Sequence, residues 1–104
     1  MASSPAHFQV DVKVEKDVSH VVAAGELDAA SAPALTGALD RARLDGRAIH
    51  LDLEGVSFID SSGIRVIAQE MRTSNERGTS FAVTAASRPV RRLFEMTGLN
   101  AAFA

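Results

Sequence analysis

The stretch that decides the fold runs from residue 48 to residue 64 and reads AIHLDLEGVSFIDSSGI. In its first part every second side chain is apolar, with Ile49, Leu51 and Leu53 on one face, which is typical of a strand with one buried side. Polar residues and a glycine then separate this strand from apolar residues at helical spacing. The stretch therefore predicts a strand over residues 48–53, a loop, and the start of a helix.

The sequence on both sides of this stretch alternates between strand and helix patterns. The predicted elements are, in order, strands at 8–14 and 18–24, a helix from Ser31 to a stop at Gly46, the strand at 48–53, a helix from about 64 to 77 stopped by Gly78, a strand at 80–85, and a helix from Pro89 to Gly98. Strands separated by helices imply parallel neighbours with right-handed crossovers, whereas the first two strands form a hairpin. The predicted fold class is α/β, a mixed β-sheet with an N-terminal antiparallel hairpin plus parallel strands, packed with α-helices.

The length and composition of the chain predict one soluble globular domain. Its 104 residues are 46% hydrophobic and 23% charged, enough for a single modest core. No run approaches the roughly 20 apolar residues of a membrane span, and the start lacks the apolar region of a signal peptide. Residues 1–6 predict a flexible N-terminal tail ahead of a domain at 7–104. Cysteine is absent, which excludes disulfides and thiolate sites, and we expect a cytoplasmic protein. We also expect a monomer, since the hairpin edge and the helices account for most of the apolar positions.

The charge of the chain is small overall but unevenly distributed. A net charge of −2 argues against a protein that binds nucleic acid by neutralising phosphates. Residues 1–60 carry five Lys/Arg and ten Asp/Glu, and residues 61–104 carry six Arg and three Glu, so the two parts have net charges of −5 and +3. Arg88, Arg91 and Arg92 cluster at the start of the last helix, where positive charge opposes the helix dipole. A surface for a protein partner and a salt-linked surface are both compatible with this cluster.

The usual sequence signals of an enzyme or a cofactor site are missing. The chain contains no GxxxxGK[ST], no GxGxxG and no HExxH. His7, His20 and His50 lie on or beside predicted strands without metal-ligand spacing, and we expect them to face solvent. We therefore predict no catalytic residue, no cofactor and no metal.

The most informative segment is Asp60, Ser61, Ser62 and Gly63, three polar residues and a glycine in the loop before a predicted helix. In an open α/β sheet such loops form the functional rim, and the first turn of the helix adds unpaired N–H groups and partial positive charge. A helix cap contributes about 1 kcal/mol and needs only one of these side chains. The remaining hydroxyls therefore predict exposed groups at a site that tolerates an anion.

Two catalytic interpretations of these serines fit poorly. A serine-hydrolase elbow has glycines two residues on either side of the nucleophile, whereas around Ser61 those positions are Ile59 and Gly63, and no histidine is placed as a base. A phospho-aspartate receiver would use Asp52 and Asp60, but the chain is short for that fold and opens with a hairpin.

Several sequence elements closely resemble the STAS domain of bacterial anti-sigma factor antagonists. They are GELD at 25–28, LDL at 51–53, VSFIDSSG at 56–63, VRRLF at 90–94 and TGL at 97–99. The resemblance spans about residues 8–103. The Asp-Ser-Ser-Gly element is its specific part, because GELD alone is a weak signal.

The resemblance implies a partner switch rather than an enzyme. In this family the unphosphorylated antagonist binds an anti-sigma factor, which is itself a serine kinase, and a sigma factor is released. The kinase then phosphorylates the serine after the motif aspartate, and a phosphatase resets the switch. By position that serine is Ser61; Asp60, Ser62 and Gly63 would shape the phosphoacceptor loop, and Asp28 would contribute to the partner surface.

The helix after the motif offers further candidates for the partner surface. Its outward residues Arg65, Gln69 and Arg72 would extend this surface, although an ordinary solvated helix face has the same pattern. We predict no nucleic-acid partner and no direct membrane contact. Related STAS domains also serve as structural subunits of lipid-transport ABC assemblies or of stress-signalling assemblies, which is the alternative function; the intact Asp-Ser-Ser-Gly element favours the sigma pathway.

Overall fold

A computed structural model describes residues 7–44 and 46–102 of the chain. Its elements are strand β1 (Phe8–Glu15), strand β2 (Val18–Leu27), helix α1 (Ala32–Arg43), strand β3 (Ala48–Ile59), helix α2 (Ser61–Arg77), strand β4 (Phe81–Ala86), helix α3 (Arg88–Thr97) and a 3-10 turn (Leu99–Ala102). The predicted order of strands and helices is confirmed. The tail predicted at residues 1–6 lies outside the described residues, so its flexibility stays a prediction.

The four strands form one mixed sheet in the order β1-β2-β3-β4. β1 and β2 pair as an antiparallel hairpin, whereas β3 is parallel to both β2 and β4. The predicted fold class, an α/β domain with a hairpin added to parallel strands, is confirmed. Because β2 and β3 are parallel neighbours, their carboxyl ends lie side by side at one edge of the sheet.

The core lies between one face of the sheet and the helices. Val21 and Ala23 of β2 and Leu51 and Leu53 of β3 are buried there, together with Phe94 of α3. The opposite face carries exposed or half-buried side chains in every strand, and the molecule measures 18 Å along its shortest axis, which corresponds to two layers. No described helix is long and apolar enough to cross a membrane.

β3 is longer than its alternating pattern predicts. It continues past Leu53 to Ile59, and Leu53, Val56 and Ile59 are all buried although they are three residues apart. The register with β2 shows why, since β3 has one extra residue opposite β2 at two places. Each extra residue turns the following side chains to the other face, so a rule based on period two ends the strand too early. The prediction of a loop directly after residue 53 is therefore wrong, and β2 likewise continues past Gly25 to Leu27.

Two of the three helices end at the glycine that the sequence predicts as their stop. Gly78 and Gly98 end α2 and α3 as predicted, with φ values of 71° and 78° in the left-handed region. α1 ends at Arg43, before the predicted stop at Gly46. Its last turn tightens, since the Leu44 N–H donates to Arg41 O at 3.3 Å.

A buried ion pair holds α1 against α2. Glu70, which is 2% exposed, accepts from Arg43 Nη2 at 2.7 Å and Nε at 3.1 Å, and from Ser74 Oγ at 3.1 Å. Arg43 also contacts Asp40 at 2.8 Å. The hydrogen-bonded Glu70, assisted by Asp40, raises the pKa of Arg43 above its ordinary value, so the guanidinium stays charged. This contact fixes the position of α2, whose first turn carries the predicted site.

Candidate functional site

Two strand-to-helix turns lie side by side at the carboxyl ends of β2 and β3. We call residues 25–31 the GELD turn and residues 60–63 the DSSG turn. Leu27 and Ile59 pair in the sheet, and the Asp60 N–H donates to Leu27 O at 3.2 Å. The two turns are therefore joined by a backbone hydrogen bond.

Asp60 caps the helix that follows the DSSG turn. Its backbone is extended, its Oδ1 accepts from the Ser62 N–H at 2.8 Å, and its carbonyl accepts from the Ile64 N–H at 3.1 Å. Asp60 is thus the one cap that the first turn of α2 needs. Both serines of the turn are left without a capping role.

Ser61 occupies the first position of α2 and is exposed, whereas Ser62 is half-buried. Within the described part of the chain, neither hydroxyl makes a hydrogen bond; only the Ser62 backbone N–H is engaged by Asp60. The Ser61 hydroxyl is accessible to a modifying enzyme. A phosphate on it would lie near the N–H groups of the first helical turn, which favour anions.

Gly63 lies beneath the DSSG turn and is buried. A Cβ at this position would lie 2.7 Å from Leu27 Cγ and 2.9 Å from Ile59 Cγ1. The close approach that this glycine permits is to buried side chains of the core. Gly63 therefore lets α2 pack directly against the ends of β2 and β3.

Asp28 lies in the neighbouring turn, as predicted, but its carboxylate is engaged within the chain. Oδ1 accepts from the N–H groups of Ala30 and Ser31 at 3.0 and 3.1 Å, and Oδ2 lies 2.9 Å from His7 Nε2. The His7 side chain, assisted by the bonds from Ser31, lowers the pKa of Asp28 below its ordinary value.

Ser31 completes the GELD turn instead of capping α1. It occupies the N-cap position, as its predicted role at the start of the helix requires, but makes no side-chain bond to the helix. Its buried Oγ donates to Glu26 O at 2.6 Å and accepts from the Asp28 N–H at 2.9 Å. The turn thus satisfies its own polar groups.

His7 contacts both acidic residues of the GELD turn. Its Nδ1 lies 3.3 Å from Glu26 Oε1 and its Nε2 lies 2.9 Å from Asp28 Oδ2, so the prediction that His7 only faces solvent is wrong. These three residues offer ligand atoms within 4.8 Å of one another, the separation a metal ion requires. Both ring nitrogens face carboxylate oxygens, and these contacts become an ion pair when the imidazole is protonated. Sequence reasoning missed this cluster because only the β1–β2 register brings His7 beside Glu26.

The other two histidines lie away from the turns, on the outer face of the sheet. His20 and His50 are directly opposite each other on β2 and β3, with ring centroids 5.4 Å apart, and both are half-buried. His20 Nε2 lies 3.4 Å from Glu15 Oε1.

The predicted partner residues of α2 form one stripe that begins at Ser61. Arg65, Gln69 and Arg72 follow Ser61 by four, eight and eleven residues, which places all four within about 80° around the helix axis. All are exposed, and Arg72 Nη1 donates to Gln69 Oε1 at 2.8 Å. The structure therefore brings these residues onto one surface with the DSSG turn.

A groove of about 640 Å³ between α1 and α2 opens beside this stripe. Its lining residues are Ala29, Ala32, Pro33, Thr36, Gly37, Asp40, Ser62, Arg65 and Val66. An exposed hydroxyl, a row of polar side chains and a largely apolar groove together suit the binding of a protein.

Comparison with known proteins supports this description. The family model for the STAS domain matches residues 9–103. The anti-sigma-B factor antagonist of Listeria monocytogenes is 32% identical over 97 residues, which cover 90% of this chain and 84% of that protein. The anti-sigma-B factor antagonist of Staphylococcus aureus is 31% identical over 95 residues, covering 90% and 88%.

Solved structures show the same likeness. An anti-sigma factor antagonist from Mycobacterium paratuberculosis has a TM-score of 0.84 at 32% identity, covering 98% of this chain and 87% of that chain. The Bacillus cell fate determinant SpoIIAA in its phosphorylated form has a TM-score of 0.71 at 24% identity, covering 93% and 88%, which is a likeness of fold.

Proposed function

The chain belongs to the STAS-domain family, and on that premise we propose that it acts as an anti-sigma factor antagonist. In its unphosphorylated form it binds an anti-sigma factor that is a serine kinase, and a sigma factor is released. Phosphorylation of Ser61 by this kinase ends the binding, and a phosphatase restores it. The observation that carries the proposal is the exposed Ser61 hydroxyl, which is unbonded within the described residues, at the first position of α2.

The proposed binding surface combines the DSSG turn with the stripe of Arg65, Gln69 and Arg72. Asp28 belongs to it by position, because the GELD turn is hydrogen-bonded to the DSSG turn through Leu27 O and the Asp60 N–H. Since the Asp28 carboxylate is engaged within the chain, its contribution is to hold the turn beside Ser61 in shape. In this proposal the protein is a cytoplasmic monomer without catalysis of its own, without a cofactor, and without nucleic-acid or membrane contacts.

The charge of a phosphate accounts for the switch. Phosphorylation of Ser61 adds about −1.5 to −2 charges and three acceptor oxygens. Within the molecule these lie near the N–H groups of the first turn of α2, so the fold is retained. At an interface fitted to a neutral hydroxyl the same charge loses its hydration without gaining a partner. A loss of about 2–3 kcal/mol weakens binding roughly 30- to 150-fold.

The first experiment identifies the partner by affinity capture from native lysate, with wild type and Ser61→Asp as paired baits and mass spectrometry as the readout. We expect wild type to recover an anti-sigma factor kinase and Ser61→Asp to recover much less of it. Equal recovery of transport-ATPase subunits by both baits would instead support the structural-subunit function.

The second experiment measures affinity for that kinase by calorimetry. Ser61→Ala should bind like wild type and remain unphosphorylated, whereas Ser62→Ala should still accept a phosphate. Ser61→Asp should bind at least about 30-fold more weakly while its stability stays within about 1–2 kcal/mol of wild type. Ser80→Asp adds the same charge to an exposed serine at the other end of α2 and should bind like wild type. If Ser61→Asp binds as tightly as wild type, the charge mechanism is wrong.

A further inference from the structure

A second cavity, of about 330 Å³, lies along α3 next to the DSSG turn. Its lining residues are Ile59, Arg88, Pro89, Arg92, Leu93 and Met96. Ile59 is the residue directly before Asp60, so this cavity and the DSSG turn share the end of β3. The cavity is separate from the stripe on α2 and from the groove between α1 and α2.

The cavity has an apolar floor and a basic rim. Pro89 and Leu93 are one helical turn apart, and so are Arg88 and Arg92, which places the two arginines together on one side of the floor. Met96 lies on the next turn between the two rows and is 81% exposed. An exposed apolar side chain that continues an apolar depression with a charged rim is a feature of binding surfaces, whereas one that stands alone is not.

The two rim arginines lack an acidic partner in the described part of the chain. Arg88 and Arg92 are exposed, and neither takes part in an ion pair or hydrogen bond there. Arg91 differs, since its Nε donates to Ala86 O at 3.2 Å. Arg88 is the first residue of α3, where the helix dipole makes a positive charge unfavourable. Arg92 lies one turn further on, where the dipole has little effect, so α3 gains no stability from the dipole at either position.

We propose that this cavity docks an acidic, amphipathic segment of a protein partner. One large apolar side chain of the segment enters between Leu93 and Met96, and carboxylates that flank it pair with Arg88 and Arg92. The volume is at the lower end of the range of about 300–1,000 Å³ for ligand pockets, which suits a side chain of an extended segment. The charge of the rim selects acidic over neutral sequences, and the apolar floor selects a peptide over a free anion. Docking here does not require Ser61 or its phosphorylation.

The test uses a short acetylated and amidated peptide in which acidic pairs alternate with leucine and phenylalanine. A neutral version with glutamine and asparagine is its control. Binding is followed by NMR on full-length protein labelled at the methionine methyl groups. Met96 lines the cavity, whereas Met71 lines a different groove at the far end of α2 and serves as an internal reference. We expect the acidic peptide to shift the Met96 signal in a saturable manner without a shift at Met71.

Variants separate specific docking from general attraction. Arg88→Gln with Arg92→Gln should weaken the peptide affinity about tenfold, because two partly exposed ion pairs are lost. The matched double variant Arg41→Gln with Arg77→Gln also removes two exposed charges and should leave the affinity unchanged. Met96→Glu places a negative charge at the cavity and should also weaken binding. Thermal melts should show every variant folded.

The proposal is overturned by any of four results. The first is that the acidic peptide does not shift the Met96 signal, and the second is that the neutral peptide binds equally well. The third is that the control double variant weakens the peptide affinity as much as the double variant of Arg88 and Arg92. The fourth is that the Met96 signal responds to phosphatidylglycerol vesicles but not to the acidic peptide. The last result would make the surface a membrane contact instead. Because none of these readouts involves Ser61, they are independent of the phosphorylation switch.

Discussion

The GELD turn and the DSSG turn both connect neighbouring parallel strands to helices, but they differ in how their polar groups are bonded. Each contains an aspartate whose carboxylate accepts from backbone N–H groups. In the GELD turn, Ser31 and His7 complete a network that engages both oxygens of Asp28. In the DSSG turn, Asp60 makes one cap bond and the Ser61 hydroxyl stays exposed. A turn whose polar groups are satisfied within the chain can support the surface beside it. A turn with an unbonded hydroxyl can be modified at that hydroxyl without loss of structure.

The largest effect is expected beneath the DSSG turn, at Gly63. Gly63→Ala should lower the free energy of unfolding by about 2–3 kcal/mol, because the added Cβ would overlap the buried Leu27 and Ile59 side chains. The energetic cost of this overpacking is larger than the stabilisation that alanine gives through its higher helix propensity. Urea denaturation measures this change. Gly37→Ala in α1 is the matched control, since its Cβ would meet only Arg41 Nη1 at 3.6 Å, and it should be neutral or stabilising. Equal behaviour of the two variants would show that α2 does not rest on the strand ends.

Removal of the central hydroxyl of the GELD turn should have the next largest effect. Ser31→Ala leaves the Glu26 carbonyl and the Asp28 N–H without their buried partner, and we expect a loss of about 2 kcal/mol. Ser80→Ala, at an exposed serine far from the GELD turn, should change stability by less than about 0.5 kcal/mol. Thermal unfolding of both variants checks the contrast. A Ser31→Ala protein as stable as Ser80→Ala would mean that the network does not hold the turn.

The corresponding change in the DSSG turn should be milder. Asp60→Ala removes a single cap bond, and we expect a loss of about 1 kcal/mol. Asp60→Asn keeps a side-chain oxygen that can accept from the Ser62 N–H and should recover most of this stability. Urea denaturation of the pair measures the difference. If Asp60→Ala loses as much as Ser31→Ala, the two turns are equally interdependent and the contrast fails.

The smallest expected effect is a pH dependence of the unfolding free energy, which arises from Asp28 in the GELD turn. Because His7 lowers the pKa of Asp28, the carboxylate stabilises the folded state above the ordinary pKa of 3.8, and this contribution is lost as the pH falls through the lowered pKa. Asp28→Asn keeps an oxygen but has no such contribution. The difference in unfolding free energy between wild type and Asp28→Asn should therefore shrink as the pH falls below 3.8. His7→Gln should weaken this acid dependence; a difference that is constant with pH would contradict the assigned role of His7.

Local signals were sufficient for most of the fold. Alternation predicted the strands, and Gly78 and Gly98 marked helix ends because a left-handed residue is a property of one position. The end of β3 was missed, since the extra residues opposite β2 depend on how two strands pair. The sequence of β3 alone carries no sign of that pairing.

The sequence predicts those parts of the candidate site that depend on residues adjacent to each other in the chain. The positions of Asp60 and Ser61 at the start of a helix follow from their order in the sequence. The contacts of His7 with Asp28 and of Arg43 with Glu70 join residues that are 21 and 27 positions apart, and only the folded packing brings them together. A polar residue at a predicted surface position gives no signal that it is buried against such a partner.

The two extra residues of β3 make the length of this strand a requirement for the position of the DSSG turn. Each of them reverses the face to which the later side chains of the strand point, and together they restore the alignment of Ile59 with Leu27. Loss of one codon between Leu53 and Ile59 would turn Ile59 outward and carry Asp60 and Ser61 to the opposite side of the strand end. An in-frame deletion there would thus disable the site while every residue of its motif is still encoded.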